Sequence, residues 1–577
     1  MKMDRNRPIA IIGMAGRFPD APNIASLHQN LLAAKCSIRE ISADRIQQTT
    51  LSAEQDYYRA GFVEGIDRFD HELFHLSLGE AQCMDPHQRQ LLEVVYELME
   101  NAGYSPQQMA ESDTSVFVAD KNLYYYRHAE EYNTLLVNGN SSECLAAYLS
   151  RQFNLQGSTA VIDTSCSSSL VALHHACNEL LLGDAERAIV CGASYDLFPF
   201  REGDIDLKVE SPDGRSIPFS DRSNGMVYGE AAVAVLLKPL EQALADGDHI
   251  QATILSTAVN NNAFRSASLN APDSVAQAQV LQKAWRKAGI EPSDLAFVEA
   301  HGSGTRLGDN IEVGGLNLAF AATAPERSAC PISTIKANIG HTRCVAGLAG
   351  LVKVALALKH EVIYPAHYTG VSSPLIDFDR AAVYVNQAAI DWPGGGERPR
   401  VAGLSSFGFS GTNCHVVLAE APLPTAHANV PNSAARYCIP LTAHHAAGLL
   451  ANAQALLDYL PQLTEADLPS LSKVLGSGRD QHAYRRTLLV SELEDLRRQL
   501  SRLVRELTEQ APVPTPDTQV IGVFSDDASL VLGDLEKWGQ RFPVFQSCFA
   551  RGEALRRELG QSPTAAYCNL MFLWGRA

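Results

Sequence analysis

Between residue 8 and about residue 420, short β-branched runs alternate with longer amphipathic segments. This alternation is typical of an α/β fold, in which helices cover the faces of a sheet. Strands are predicted over residues 9–12, 114–118, 159–162, 188–191, 231–237 and 295–299, and helices over 86–102, 167–182, 275–288 and 346–360.

The composition excludes several classes of protein. The 577 residues carry a net charge of −18, whereas a nucleic-acid-binding protein normally presents a basic face. Twelve cysteines without a CxxC pair favour reduced thiols and a cytoplasmic location. The longest apolar stretch, 344–358, is too short to cross a bilayer. We find no HExxH, Walker A or clustered Cys/His pattern, so no metal site is predicted.

The pattern changes after a Pro- and Ala-rich stretch over residues 421–435. We therefore expect three parts: a main domain over 1–425, a linker domain over 426–515 and a C-terminal segment over 516–577. The linker domain is predicted to contain helices over 443–460 and 492–507. The last segment offers one strand, 520–524, and one helix, 544–559, which is little for an independent core.

Cys166 lies in the most informative segment, where an apolar strand runs into DTSCSSSL and a helix follows. Thr164 and Ser165 are candidate N-caps. Cys166 would then lie at a helix N-terminus, where the dipole and free N–H groups favour a thiolate nucleophile. A buried structural thiol is the alternative, and Cys344 and Cys414 are expected to be core residues.

Two histidines lie in glycine-rich surroundings that allow close approach of a ligand. His301 follows a predicted strand, and His341 precedes an apolar helix. Each is also compatible with a structural, hydrogen-bonded role. Lys336 is predicted to lie inside an apolar strand, which favours a specific partner for its charge.

A third glycine cluster covers residues 405–415 and precedes a predicted strand. Its backbone N–H groups could form half of an oxyanion hole, with the N–H of Cys166 as the other half. A tight turn with no catalytic role explains the same pattern.

Seven blocks, in order, closely resemble the β-ketoacyl synthase (ketosynthase) domains of modular polyketide synthases. They are IAIIGMAGRFPDAPN, FDHELFHLSLGEAQCMDPHQRQLLEVVYELMENAGY, DTSCSSSL, SPDGRSIPFSDRSNGMVYGE, EAHGSGTRLGDNIEV, KANIGHTRCVAG and SSFGFSGTNCHVVL. The match runs from Ile9 to about Ala421. It implies a thiolase-like five-layer α/β/α/β/α fold of two similar halves, with a small α/β linker domain after it.

By position in these motifs, the resemblance implies that Cys166 is the acyl-accepting nucleophile and that His301 and His341 promote decarboxylation. Lys336 matches the family's active-site lysine, and Phe409 falls where the family has a gating phenylalanine whose N–H serves the oxyanion hole. The implied reaction is a decarboxylative condensation between an acyl group on Cys166 and a malonyl-type extender.

The resemblance also implies partners. No cofactor is bound, because phosphopantetheine arrives on an acyl carrier protein. We expect a free-standing homodimer that uses carriers and an acyltransferase in trans, and the arginines 215, 222 and 265 are candidates for carrier contact. Two alternatives stay open: a ketosynthase-like acyltransferase without decarboxylation, and a non-catalytic partner subunit of the chain-length-factor kind.

The sequence departs from the family pattern at a few positions. Arg343, Ser410 and Asn310 stand where the family usually has Glu, Gly and Pro, so the substrate range or the reaction is expected to differ. The segment DLPSLSKVLGSGRDQHAYRRTLLV resembles the post-ketosynthase linker. Residues 516–577 resemble a truncated acyltransferase opening, with Asp526-Asp527-Ala528 in place of Gly-Gln-Gly, and are expected to be vestigial.

Overall fold

The computed structural model describes residues 7–47, 57–120, 123–128, 132–197, 209–321, 329–368, 371–393, 398–422 and 436–509. The strand and helix predicted over 520–524 and 544–559, and the whole C-terminal segment 516–577, lie outside these residues.

The described residues contain the following strands: β1 (Ile9–Arg17), β2 (Ile38–Arg39), β3 (Ala60–Gly61), β4 (Thr114–Ala119), β5 (Thr159–Ile162), β6 (Arg187–Ser194), β7 (Ala231–Pro239), β8 (Ala252–Asn261), β9 (Leu295–Glu299), β10 (Cys330–Ser333), β11 (Val362–Ile363), β12 (Val383–Val385), β13 (Ile390–Asp391), β14 (Val401–Phe407), β15 (Thr412–Ala419), β16 (Tyr437–Ala443) and β17 (Tyr484–Val490).

The helices are α1 (Ile24–Leu32), α2 (Ala43–Gln47), α3 (Leu78–Cys83), α4 (Pro86–Ala102), α5 (Pro106–Met109), α6 (Thr134–Asn140), α7 (Ser142–Gln152), α8 (Ser168–Leu182), α9 (Leu240–Asp246), α10 (Ser274–Ala288), α11 (Arg306–Ala321), α12 (Lys336–Ile339), α13 (Ala346–Lys359), α14 (Ala446–Tyr459), α15 (Leu468–Ser477) and α16 (Leu493–Glu509).

The main sheet consists of two halves built to one plan. Its strand order is β12-β10-β9-β14-β15-β8-β1-β7-β6-β4-β5. In one half β4 pairs in parallel with β5 and β6, while β7 runs antiparallel to β6 and β1. In the other half β9 pairs in parallel with β10 and β14, while β15 runs antiparallel to β14 and β8. The expectation of two similar halves is confirmed.

Three hydrophobic cores hold the five layers of the main domain together. The central core contains α8, α13 and the inner faces of both halves of the sheet. A second core joins α4 and α7 to the outer face of the first half, and a third joins α10 and α11 to the outer face of the second half. Strand β7 has the pattern of a strand buried on both faces, because Val233 and Val235 point into the central core and Ala232 and Ala234 into the outer one.

Most of the predicted elements are present with shifts of a few residues at their ends. The strands over 159–162 and 295–299 and the helix over 86–102 have the predicted bounds. The first strand is longer than predicted, because Gly13 and Gly16 continue β1 instead of ending it. In the part of the chain that the structure describes, no helix is long and apolar enough to span a membrane.

Residues 437–509 enclose a smaller core of their own. The antiparallel pair β16 and β17 is covered by α14, α15 and α16, whose leucines fill the space between them. Leu496, Leu500, Leu503 and Leu507 recur on one face of α16, the spacing of an amphipathic helix.

Candidate active site

Cys166 lies in a tight 3-10 turn, Ser165–Ser167, between β5 and α8. The backbone of Ser165 takes the left-handed conformation, with φ of 61°. Such strained backbone is concentrated at functional sites, where surrounding structure holds it. Here the Ser165 N–H donates to Asp163 Oδ1 at 2.8 Å, and Ser406 Oγ donates to the carbonyl oxygen of Cys166 at 2.6 Å.

The predicted capping by Thr164 and Ser165 is wrong. Helix α8 begins at Ser168, and no side chain caps its N-terminus. Instead the Ser168 hydroxyl accepts from the Thr164 N–H at 2.9 Å and donates to the Ser165 carbonyl at 2.6 Å. Hydroxyl groups of DTSCSSSL therefore fold the turn itself, because short polar side chains satisfy nearby backbone groups well.

His301 is held by a carboxylate on the following helix. Its N–H and that of Gly302 donate to the two oxygens of Glu312, each at 2.7 Å. Gly302 has φ of 39°, and a Cβ there would lie 2.8 Å from Thr334 Cγ2. The Nδ1 of His301 accepts from the Phe407 N–H at 3.4 Å.

His341 is held by backbone on both sides. Its N–H donates to the Val227 carbonyl at 2.6 Å, and its Nδ1 accepts from the Arg343 N–H at 3.0 Å. The preceding Gly340 has φ of 80°, and a Cβ there would lie 2.4 Å from the Tyr228 carbonyl oxygen. His341 is 2% exposed.

The two imidazoles are held in the same tautomer and meet edge to face. Their ring centroids are 5.6 Å apart, with the planes at 80°. Because each Nδ1 accepts a backbone N–H, each neutral ring carries its proton on Nε2 and can donate it. Burial lowers the pKa of His301, and the charge of Lys336 lowers it further. This ring is therefore neutral near neutral pH.

Lys336 does not lie inside a strand, contrary to the prediction. Strand β10 ends at Ser333, and Lys336 begins α12, because the Ile335 N–H donates to Glu299 Oε1 at 2.6 Å and turns the chain. The expectation of a specific charged environment is consistent with the burial of Lys336, which is 3% exposed. Burial lowers the pKa of Lys336, against the opposing influence of Glu299, Glu312 and Cys166.

Phe409 lies in the turn that joins β14 to β15. Gly408 and Gly411 close this turn, Gly411 with φ of 84°. Phe409 is 43% exposed, and its N–H has no hydrogen-bond partner among the described residues. A Cβ at Gly408 would lie 2.4 Å from the Thr164 carbonyl oxygen, so the turn sits against the Cys166 segment.

A cavity of about 360 Å³ brings several predicted residues together. Cys166, His341 and Phe409 line it, as do Tyr228 and Arg343. His301 and Lys336 are not among the lining residues. His301 lies behind this wall, with its ring in edge contact with that of His341.

Arg343 adds a positive charge to the wall of this cavity. Its Nη2 lies 3.0 Å from Asp196 Oδ2, and its guanidinium carbon lies 4.3 Å from the centre of the Tyr228 ring. Burial opposes the charge, but Asp196 and Tyr228 outweigh it and raise the pKa of Arg343. Arg343, which stands where the family usually has Glu, thus contributes in two ways. Its backbone N–H positions His341, and its side chain makes the cavity wall polar.

Sequence reasoning missed two positioning carboxylates on α11. Asp309 accepts from the N–H groups of Phe219 and Gly304 at 2.8 and 3.1 Å, and Glu312 supports His301. Burial raises the pKa of Asp309 to about 6 and that of Glu312 to about 7. Their i,i+3 spacing after a glycine-rich loop is the signal that points to this role.

The burial of the other residues named in the sequence analysis is as follows. Cys344 and Cys414 are buried, as expected of core thiols. The arginines proposed for carrier contact, Arg215, Arg222 and Arg265, are all exposed.

Family descriptions match most of the chain. "Beta-ketoacyl synthase, N-terminal domain" matches residues 6–243, and the C-terminal domain of the same family matches 251–369. "Ketoacyl-synthetase C-terminal extension" matches residues 373–489.

The chain is similar to segments of much longer proteins. It is 34% identical over 568 residues to polyketide synthase PksL of Bacillus subtilis, covering 92% of this chain and 12% of PksL. It is 35% identical over 584 residues to erythronolide synthase EryA3 of Saccharopolyspora erythraea, covering 96% of this chain and 18% of EryA3. The chain thus spans less than a fifth of the length of these relatives.

Solved structures resemble it over nearly their whole length. The ketosynthase from module 6 of the Bacillus subtilis bacillaene synthase has a TM-score of 0.80 and 31% identity, covering 94% of this chain and 93% of that one. Ketosynthase twelve of the Bacillus amyloliquefaciens bacillaene synthase has a TM-score of 0.80 and 30% identity, with 93% of each chain covered.

Proposed function

The chain belongs to the β-ketoacyl synthase family, as a ketosynthase of the polyketide-synthase type, and on this premise we propose that it catalyses decarboxylative condensation with Cys166 as nucleophile. The observation that carries the proposal is the pair His301 and His341, whose Nδ1 atoms both accept backbone N–H groups. Two neutral Nε2–H donors beside a cavity lined by a cysteine suit chemistry in which an oxyanion develops.

In the first half-reaction the Cys166 thiolate attacks an acyl thioester on the phosphopantetheine arm of a carrier protein. A C–S bond forms to Cys166, and the carrier leaves as its thiol after protonation. The N–H groups of Cys166 and Phe409 are proposed to stabilise the tetrahedral oxyanion. In support, the Phe409 N–H has no other partner among the described residues, and Phe409 lines the same cavity.

In the second half-reaction a malonyl-type extender on a carrier protein loses CO₂. The electron pair of the broken C–C bond passes into the thioester, whose oxygen becomes an enolate. His301 and His341 donate to this oxygen through Nε2, in a buried setting where such hydrogen bonds are strong.

Condensation completes the cycle. The enolate carbon attacks the carbonyl carbon of the Cys166 thioester, a C–C bond forms, and the C–S bond to Cys166 breaks. The thiolate is regenerated, and the β-ketoacyl group remains on the extender's carrier. Lys336 is proposed as a positioning residue, since its buried charge lowers the pKa of His301.

The proposed partners follow from this chemistry. Acyl and extender groups arrive on acyl carrier proteins, and a separate acyltransferase loads the extender. We expect carriers supplied in trans to be accepted. No bound cofactor is required by any step, because the pantetheine thiol belongs to the carrier.

Homodimerisation is proposed through the edge of the main sheet. Strand β5 is the terminal strand in the described order, and Ala160, Val161 and Ile162 are only partly buried. An apolar edge strand without a neighbour is a template for pairing with a second copy.

Intact-protein mass spectrometry tests the assignment of Cys166. Incubation with a panel of acyl-pantetheine thioesters should add one acyl mass to the wild-type chain and none to Cys166→Ala. Cys438→Ala is the matched control, because Cys438 is an exposed thiol in the C-terminal extension; it should be acylated as the wild type is. Acylation that persists in Cys166→Ala would contradict the proposal, and a wild-type chain that is never acylated would favour a non-catalytic subunit.

A further inference from the structure

A histidine-rich cluster lies where the smaller unit of residues 437–509, hereafter the C-terminal unit, meets the main domain. Four of the 17 histidines in the chain meet there. The ring of His444 lies 4.7 Å from that of His445, 6.0 Å from that of His482 and 6.5 Å from that of His75. His444 and His445 are consecutive, but His75 and His482 are far from them in the sequence, so no ligand spacing reveals the cluster.

Carboxylates from the main domain complete the cluster. His445 Nε2 lies 3.3 Å from Asp70 Oδ2, and His445 Nδ1 lies 4.0 Å from Glu72 Oε2. One ring nitrogen each of His444 and His445 and one carboxylate oxygen of Asp70 lie within 4.8 Å of one another. Zinc bonds of about 2.0–2.2 Å separate tetrahedral ligands by about 3.4 Å, so small side-chain rotations bring these three atoms into position.

Two polar atoms here lack partners within the described part of the chain. His444 Nδ1 is buried and makes no hydrogen bond there, and the same is true of Asp480 Oδ1, next to His482. A buried nitrogen or carboxylate oxygen without a partner costs free energy, and each such atom calls for an explanation. A cation bound beside His444 would give its Nδ1 a partner.

We propose that His444, His445 and Asp70 form a binding site for a divalent transition metal of the Zn²⁺ class. Imidazole and carboxylate donors suit Zn²⁺, and His482 or His75 is close enough to His444 to supply a fourth ligand. Asp70 belongs to the main domain, while His444 and His445 join β16 to α14. The metal would therefore fasten the C-terminal unit, residues 437–509, to the main domain, a role independent of the Cys166 chemistry.

The test is Zn²⁺ binding to the full chain by equilibrium dialysis and elemental analysis. The wild type is compared with the double variant His444→Ala/His445→Ala and with His175→Ala, an exposed histidine that also follows another histidine. Wild type and His175→Ala should bind one more Zn²⁺ per chain than the double variant. Any zinc bound by cysteines contributes equally to the zinc content of all three proteins, so it does not affect the difference between them.

Thermal unfolding gives a second measurement, because a ligand that binds only the folded state raises Tm. Added ZnCl₂ should raise the Tm of the wild type and of His175→Ala by more than that of the double variant. If the double variant does not fold, Asp70→Asn replaces it, with affinity expected to fall at least about tenfold since even indirect ligand partners are worth that much. Equal zinc content and equal Tm shifts in all variants would overturn the proposal.

Discussion

At the ring of His301, burial and one neighbouring cation, Lys336, act in the same direction. Burial lowers the pKa of His301, and the charge of Lys336 lowers it further, so the ring stays neutral below its ordinary pKa of 6.5. A neutral ring accepts the Phe407 N–H at Nδ1 and donates from Nε2, whereas a protonated ring would turn an N–H toward that donor. The pH–rate profile of decarboxylation should therefore have its acid limb, where the rate falls on acidification, below pH 6.5.

Removal of the Lys336 charge should shift that limb. In Lys336→Met the pKa of His301 is depressed less, so protonation begins at a higher pH and the acid limb moves upward. The pH dependence of CO₂ release from a malonyl-carrier substrate measures this, with Lys473→Met, an exposed lysine of α15, as control. A limb that stays in place or moves to lower pH would refute the role given to Lys336.

At the level of elements, the β14–β15 turn and the Cys166 turn depend on each other. Ser406 donates to the Cys166 carbonyl, and Gly408 leaves no room for a side chain against Thr164 and Ser167. The hairpin thus carries Phe409 to the cavity and at the same time fixes the segment that holds the thiol.

Gly408→Ala should separate these two turns while the fold survives. Its Cβ would lie 2.4 Å from the Thr164 carbonyl oxygen and 2.7 Å from Ser167 Oγ, and the carbonyl is backbone that cannot rotate away. Displacement by about 1 Å costs on the order of 100-fold in rate, which acylation kinetics by mass spectrometry would reveal. Gly476→Ala, where nothing lies within 4 Å, should acylate normally. Equal rates for the two variants would contradict this dependence.

At the level of elements, some features of the structure could be predicted from the sequence and others could not. Strands such as β5 and β9 follow from β-branched runs, and DTSCSSSL places Cys166 between a strand and a helix. The capping by Thr164 and the strand around Lys336 were wrong, because distant groups, such as Glu299 for the Ile335 N–H, decide where those segments turn. The His444 cluster could not be predicted, because Asp70, His75 and His482 reach His444 and His445 only by tertiary packing.

In the molecule as a whole, β5 is one of the two terminal strands of the main sheet among the described residues, with β12 at the other end. The inner faces of both halves are buried against α8 and α13, so the central core needs no partner. The edge residues, in contrast, keep part of their apolar surface in solvent. Pairing of two β5 edges would cover it and would continue the sheet across a dimer.

Val161→Lys should therefore dissociate the dimer. Around a two-fold axis the new charges would lie near each other and would be buried in an apolar interface. Light scattering after size-exclusion chromatography should show a dimer for the wild type and for Val275→Lys, a matched change at an exposed position of α10, and a monomer for Val161→Lys. A monomeric wild type, or a dimeric Val161→Lys, would exclude this interface.

Condensation itself is tested most directly by one reaction that contains the enzyme, an acyl-carrier and a malonyl-carrier. Released CO₂ and the β-ketoacyl-carrier are quantified together. Decarboxylative condensation yields equal amounts of both, and Cys166→Ala should give no β-ketoacyl product. Transfer of the acyl group between carriers without CO₂ would contradict it and would identify an acyltransferase instead.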